Sequence, residues 1–148
     1  MKKEYKELLL KDLCARLPYG MFVHHKNVNQ DYNLIAVFDD GRIGVTTLKE
    51  NIGLTPTSIN ECKPYLRPMS SMTEEERKEF DVITNGERGF YEDEDGWIRC
   101  DNIHTKWGVW PKGCAEMLDW LKRHHFDYRG LIEKGLALEA PEGMYKTE

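Results

Sequence analysis

The sequence predicts a single α+β domain spanning residues 1–148. Its length of 148 residues suits one domain, and a hydrophobic share of 40% with 11% aromatic residues excludes a wholly disordered chain. Apolar residues recur first at helical spacing, then in short β-branched runs, then at helical spacing again. We therefore expect an N-terminal helix, a small antiparallel sheet of about four strands, either curled or SH3-like, and two to three further helices.

The first helix is predicted from one apolar face. Its members recur at spacings of three and four residues and are Tyr5, Leu8, Leu9, Leu13 and Leu17. Pro18 lacks the N–H that a helix interior needs, so the helix ends there. Cys14 lies in or beside the apolar face, and we expect it to be a core residue and not a nucleophile.

Four short strands are predicted next, over 21–23, 32–38, 43–47 and 58–66. Residues 39–42, Asp-Asp-Gly-Arg, form a hairpin turn between the second and third strands, because Asp and Gly tolerate left-handed backbone dihedrals. Pro64 has no N–H to donate to a sheet. The fourth strand is therefore expected at an edge of the sheet, or Pro64 near the end of that strand.

A second helix is predicted after residues 68–72, which are the candidate hinge of any internal boundary. Thr73 to Glu76 is a capping box, in which the Thr hydroxyl accepts from the N–H of Glu76 and the Glu side chain reaches back. We expect this helix to extend to about Ile83 and to end at residues 85–86, Asn-Gly. Phe90 to Ile98 is then predicted to be a hairpin with an acidic tip.

The third helix has the clearest pattern. Pro111 fits its first turn, and an apolar stripe follows at Cys114, Met117, Leu118, Leu121 and His125. Asp127 is predicted to cap a new helical segment that stops at Gly135. Leu136 and Leu138 alternate like a short final strand, and residues 141–148 are expected to form a loose tail.

The charge balance limits the classes of partner. The chain has 21 Lys and Arg residues against 26 Asp and Glu residues, a net charge of −5. Binders of nucleic acid and of anionic membranes usually carry a basic excess, so membranes are not expected and nucleic acid is disfavoured. The sequence contains no secretory signal pattern, no apolar run of ~20 residues and no Cys-x-x-Cys pair. We therefore expect a cytoplasmic protein with reduced thiols.

Metal and catalytic patterns are weak. Residue types that bind zinc occur at Cys100, His104, Cys114 and His124. Their spacing fits no common zinc finger, and Cys114 lies on the apolar stripe of the third helix. The acidic run 92–96 is similar to part of a calcium loop but lacks its closing glutamate. Residues 24–25 and 124–125 are His-His pairs with no accompanying nucleophile. The sequence predicts no cofactor and no catalytic residue.

Clustered tryptophans provide the candidate binding surface. Trp97, Trp107 and Trp110 fall within 14 residues and lie close to basic residues such as Arg99. Trp and Arg are enriched at the centres of protein–protein interfaces, and aromatic residues interleaved with basic ones also stack unpaired bases. The third alternative is that two of the tryptophans are core residues.

Three blocks of sequence carry a resemblance. They are LLKDLCARLPYG over residues 9–20, PYLRPMSSMTEEE over 64–76 and HHFDYRGLI over 124–132. Together they resemble a group of small uncharacterised proteins encoded by phages and mobile elements of gut bacteria. The resemblance implies a cytoplasmic accessory protein and supplies no activity, cofactor or catalytic residue. Arg129, in the last block, completes the candidate surface: it could bind a partner's carboxylate or phosphate, or it could tie down helix ends.

These observations favour a non-catalytic protein that acts by binding a host protein or one encoded by the same element. One alternative is a single-stranded nucleic-acid-binding protein that uses Trp97, Trp107 and Trp110. The other is a small enzyme or zinc-binding protein, which would require that Cys100 and His104 converge with Cys114 and His124.

Overall fold

The computed structural model describes residues 1–49, 53–83, 90–92, 98–100 and 110–145. The helices are α1 (Lys3–Arg16), α2 (Glu74–Ile83) and α3 (Trp110–Arg123). The strands are β1 (Met21–His25), β2 (Gln30–Val37), β3 (Arg42–Thr47), β4 (Thr55–Ser58), β5 (Cys62–Leu66), β6 (Phe90–Glu92), β7 (Ile98–Cys100) and β8 (Leu138–Glu139). The predicted α+β class is confirmed. Within the described ranges no helix combines the length and apolar character needed to cross a bilayer.

The main sheet has six strands in the order β4-β3-β2-β1-β5-β8, and β6 pairs separately with β7. The expectation of about four strands is therefore wrong. The predicted strand 58–66 is interrupted by a 3₁₀ turn at Ile59–Glu61, where the Ser58 hydroxyl accepts a hydrogen bond from the N–H of Asn60 (3.2 Å). The sheet is also mixed. β8 pairs in parallel with β5, whereas the other four strand pairs of the sheet are antiparallel.

The position of Pro64 explains how it is tolerated inside the sheet. Pro64 pairs with Val23 of β1, and β8 covers only Tyr65 and Leu66 on the other side of β5. β5 is thus not an edge strand, but the part of it that contains Pro64 has no β8 residue opposite. The predicted hairpin turn between β2 and β3 is confirmed by Gly41, which has a φ of 83° and donates from its N–H to Phe38 O.

The first core lies between α1 and one face of the main sheet. Leu9 and Leu13 pack there with sheet residues such as Val23 and Ile43, all nearly inaccessible to solvent. The buried face of α1 also includes Asp12 and Arg16, and Cys14 on the other flank is exposed. The expectation that Cys14 is a core residue is therefore wrong. Helical geometry turns Cys14 about 100° from Leu13, away from the buried side.

A second core joins α2, α3 and the segment that follows α3. Its buried members are Met117, Trp120, Leu121 and Phe126, and Phe80 of α2 packs against them. The capping box at the start of α2 is confirmed. The Thr73 hydroxyl accepts from the N–H of Glu76 (3.2 Å), and the Glu76 carboxylate accepts from the N–H of Thr73 (3.1 Å).

The segment after α3 consists of turns, so the helical segment expected over 127–135 is wrong. Both carboxylate oxygens of Asp127 still cap backbone groups, accepting from the N–H of Leu131 (2.8 Å) and of Ile132 (2.9 Å). His125 has a φ of 64°, which ends α3 before His125 can continue its stripe. The chain then enters β8, whose Leu138 and Glu139 lie beside β5.

Candidate binding groove

An ion pair between Arg67 and Glu76 forms the floor of a groove. Two guanidinium nitrogens of Arg67 each donate to one carboxylate oxygen of Glu76 at 2.7 Å. The guanidinium also lies over the ring of Phe126, 4.3 Å from its centroid. These donations from Arg67 and from the Thr73 backbone hold the pKa of Glu76 down to about 2. Glu76 is therefore ionised at neutral pH and is a weak base.

The backbone of Arg67 is also held by hydrogen bonds. Its N–H donates to His125 O (2.8 Å), and its carbonyl accepts from the N–H of Asp127 (2.8 Å). These bonds join the end of β5 to the segment after α3. The floor of the groove is thus built by both cores.

The opposite wall is the C-terminal strap, defined here as residues 139–145. Ala140 donates its N–H to Leu66 O (2.7 Å), which anchors the start of the strap to β5. At the other end, the Tyr145 ring stacks on His125 (centroids 3.6 Å apart) and on Phe22 (5.2 Å). The prediction of a loose tail over 141–148 is wrong for Tyr145, because its ring stacks on both His125 and Phe22.

Tyr145 is bound through its hydroxyl as well. The hydroxyl accepts from the N–H of Phe22 (3.1 Å) and donates to the carbonyl oxygen of Tyr65 (2.8 Å). Burial of this hydroxyl raises the pKa of Tyr145 to about 12. The strap is therefore a fixed wall at neutral pH, held by a neutral tyrosine.

Between floor and strap lies a cavity of about 810 Å³ that is open to solvent. Pro68, Ser71 and Thr73 line it on the side of α2, and Pro141 and Glu142 line it on the side of the strap. Glu139 also contributes to the lining, and both strap glutamates are exposed. Neither forms an ion pair with another described residue, whereas Arg67 is neutralised by Glu76. The groove therefore carries an excess of negative charge.

Most of the candidate surface from the sequence lies outside the described part of the structure. Trp97 and Trp107 lie outside the described residues. Arg99 belongs to β7 and Trp110 begins α3, but their side chains are outside the described part of the structure. The predicted tryptophan cluster therefore stays a prediction.

Arg129 is engaged within the chain. Its Nε donates to a carboxylate oxygen of Asp12 on α1 (3.2 Å), and its guanidinium lies over the ring of Tyr128 (5.2 Å). The same Asp12 accepts from Nε of Arg16 at 2.7 Å, and neither of those two side chains is accessible to solvent. This geometry fits the alternative in which Arg129 ties down a helix end, because Asp12 lies four residues before the last residue of α1.

Of the four residue positions considered for zinc, only His124 has a described side chain. Its ring stacks on Trp120 (4.2 Å), and its Nδ1 lies 3.5 Å from a Glu76 oxygen. Burial is the main cause that lowers the pKa of His124. Among the described residues no three or more His, Cys, Asp or Glu side chains are grouped to hold a metal ion.

The first histidine pair divides between the two faces of the main sheet. Nδ1 of His24 lies 2.8 Å from a carboxylate oxygen of Asp31, which also accepts from the Tyr65 hydroxyl (2.9 Å). His25 lies near Thr57 and Glu61, beside Cys62 of the neighbouring strand. Burial raises the pKa of the Cys62 thiol to about 11, so the thiol stays protonated and is not an activated nucleophile.

Two groove residues and one residue of the second core were not predicted from the sequence. Arg67 stands between a strand residue and a proline, and nothing local indicates that it pairs with Glu76. Tyr145 is the one aromatic residue of the strap, which could have indicated that it anchors the strap. The polar residues around it in the sequence instead favoured a loose tail. Trp120 follows Met117 by three residues, so the stripe of α3 could have identified it as core.

Comparison of the chain with protein-family models, with curated proteins and with solved structures finds no match. Among the described residues, the groove combines a cavity, fixed walls and uncompensated charge.

Proposed function

We propose that this protein is a non-catalytic accessory protein that binds another protein and holds a segment of it in the groove. The observation that carries the proposal is the cavity of about 810 Å³ between α2 and the C-terminal strap. Its size falls within the range typical of ligand sites. Its walls are pre-formed, because the Arg67–Glu76 pair and the anchored ring of Tyr145 fix them.

The chemistry of the groove supports binding over catalysis. Its central carboxylate, Glu76, has a pKa of about 2 and accepts protons poorly at neutral pH. Arg67 is held by that carboxylate. The phage or mobile-element setting and the cytoplasmic location are part of the proposal and are supported by the three blocks of resemblance in the sequence.

The excess of negative charge argues against nucleic acid as the occupant of this groove. Glu139 and Glu142 would repel phosphates, and the guanidinium of Arg67 is already paired. The alternative of a single-stranded nucleic-acid binder depends on Trp97, Trp107 and Trp110, and the experiment below separates it from protein binding.

Site-specific photo-cross-linking tests the proposal. A benzoylphenylalanine residue is placed at Ser71 or Glu142 in the groove, or at exposed Glu7 on α1 as the control, in cells that naturally express the protein. We expect a nuclease-resistant cross-link to one protein from both groove positions and none from Glu7. Cross-links from Glu7 alone, or products that nuclease destroys, would contradict the proposal.

A further inference from the structure

Glu139 of β8 lines the groove and lies at the outer edge of the main sheet. β8 ends the strand order of the main sheet, so no described strand lies beyond it. Leu66 pairs with Glu139, and the Leu66 carbonyl accepts from the N–H of the following residue, Ala140 (2.7 Å). In a parallel ladder this pattern turns the N–H and C=O of Glu139 away from β5, towards the open edge.

From this edge and the adjacent charges, we propose that the groove takes an extended, basic segment of the partner, which adds to the sheet beside Glu139. The inference rests on the proposed function and specifies its ligand. An exposed strand edge is a template for an added strand, and main-chain hydrogen bonds supply affinity in that mode of recognition. The pair of backbone groups at Glu139 sets where the added strand begins.

Charge complementarity selects the side chains of that segment. Glu139 and Glu142 are exposed at the rim of the cavity and have no described cation beside them. Alternate residues of an extended strand point to the same face, so Lys or Arg at every second position would bring positive charge to this rim. Their aliphatic stems would lie against Pro68 and Pro141, which line the groove.

The probe is a fluorescein-labelled octapeptide of alternating Lys and Thr, and the readout is fluorescence anisotropy with the full-length protein. We expect saturable binding that weakens as salt rises, because the charges at the rim are screened. The matched peptide of alternating Glu and Thr should not bind. A Lys-Thr peptide that is N-methylated at alternate residues, and so lacks donors along one edge, should bind at least about tenfold more weakly.

Protein variants locate the site. The double substitution Glu139→Gln and Glu142→Gln should weaken binding of the Lys-Thr peptide by about tenfold or more, and Glu133→Gln, an exposed glutamate outside the groove, should leave it unchanged. Equal binding of the N-methylated peptide would overturn strand addition. An unchanged affinity of the double variant would overturn the inference as a whole.

The two proposals fail in different ways. If the cross-links from Ser71 and Glu142 form but the Lys-Thr peptide does not bind, the basic extended ligand is wrong and the groove remains a protein-binding site. If neither result is obtained, both proposals are wrong. A peptide that binds equally well to the double variant and to the unmodified protein binds elsewhere, which also overturns the inference.

Discussion

The hydroxyl of Tyr145 donates a hydrogen bond to the backbone carbonyl of Tyr65 (2.8 Å), across a separation of 80 residues. The same oxygen accepts from the N–H of Phe22 (3.1 Å). Direct pairing of β1 with β5 extends to Val23 and Pro64, and Phe22 and Tyr65 are the next residues along the two strands. The tyrosine hydroxyl therefore bridges the strands where their own ladder stops, and it anchors the strap at that point.

Tyr145→Phe should lower the free energy of unfolding by about 1–2 kcal/mol, because Phe22 N–H and the Tyr65 carbonyl lose their shared partner. The ring keeps its stacking on His125, so the fold should be retained. Urea denaturation followed by fluorescence measures the change. Tyr19→Phe, at the end of the 3₁₀ turn after α1, is the control and should have little effect. Equal stabilities of the two variants would refute the bridging role.

Glu76→Gln should destabilise the protein at neutral pH by up to about 3 kcal/mol, because the ion pair with Arg67 is lost. The pKa of Glu76 is about 2 in the folded state, below its ordinary value of 4.5. Its stabilising contribution is therefore complete above pH 4.5 and is lost as the pH falls towards 2. Stability curves of both proteins at pH 7 and pH 3 measure this convergence.

The matched control is Glu75→Gln, an exposed glutamate in the same first turn of α2. It should follow the unmodified protein at both pH values. If the gap in stability between Glu76→Gln and the unmodified protein stayed constant between pH 7 and pH 3, the pKa of Glu76 would not be lowered in the folded protein.

Features encoded in neighbouring residues were predictable from the sequence. The capping box at Thr73 and Glu76 needs only four residues. The turn at Gly41 needs only the Asp-Asp-Gly-Arg sequence of residues 39–42 between two apolar runs. The apolar faces of α1 and α3 follow from helical periodicity. In each case the interacting groups lie within one turn or one hairpin, so local chemistry determines the outcome.

Features that join distant parts of the chain were not predictable. A short final strand was predicted from Leu136 and Leu138, but its parallel pairing with Tyr65 and Leu66, far away in sequence, was not. The ion pair on the floor of the groove depends on where β5 delivers Arg67 relative to α2. Tyr145 is fixed by Phe22 and by β5. Since strap and floor both arise from such contacts, the groove could not be located from the sequence.

The ring of His125 should titrate near pH 4, well below the ordinary pKa of 6.5. Burial is the main cause, and the positive charges of Arg16 and Arg67 and the neighbouring His124 add to it. Because the unfolded chain binds a proton near pH 6.5 and the folded chain does not, His125 makes stability fall as the pH drops from 6.5 towards 4.

Two-dimensional NMR of the histidine rings measures this pKa directly. His125→Asn assigns the resonance by its disappearance, and Asn suits the position because it tolerates the φ of 64°. The variant should also lose less stability than the unmodified protein between pH 6.5 and pH 4. A His125 resonance that titrates at or above pH 6.5 would show that the ring is not buried as described.

Asp12→Asn should cost about 3–5 kcal/mol, because it leaves the guanidinium of Arg16 buried without a counter-charge. Replacing both partners, Asp12→Leu with Arg16→Met, should cost less, since no fully buried charge then remains, and Arg129, which also loses Asp12, is partly exposed to solvent. Arg16 Nη1 already lacks a hydrogen-bond partner among the described residues, so the pair is not an optimal one. A double-mutant cycle by urea denaturation measures the coupling.

Glu7→Gln, in the exposed Lys3–Glu7 pair of α1, is the control and should show no measurable change. If the double replacement were as damaging as Asp12→Asn, the loss would come from packing and not from the unpaired charge.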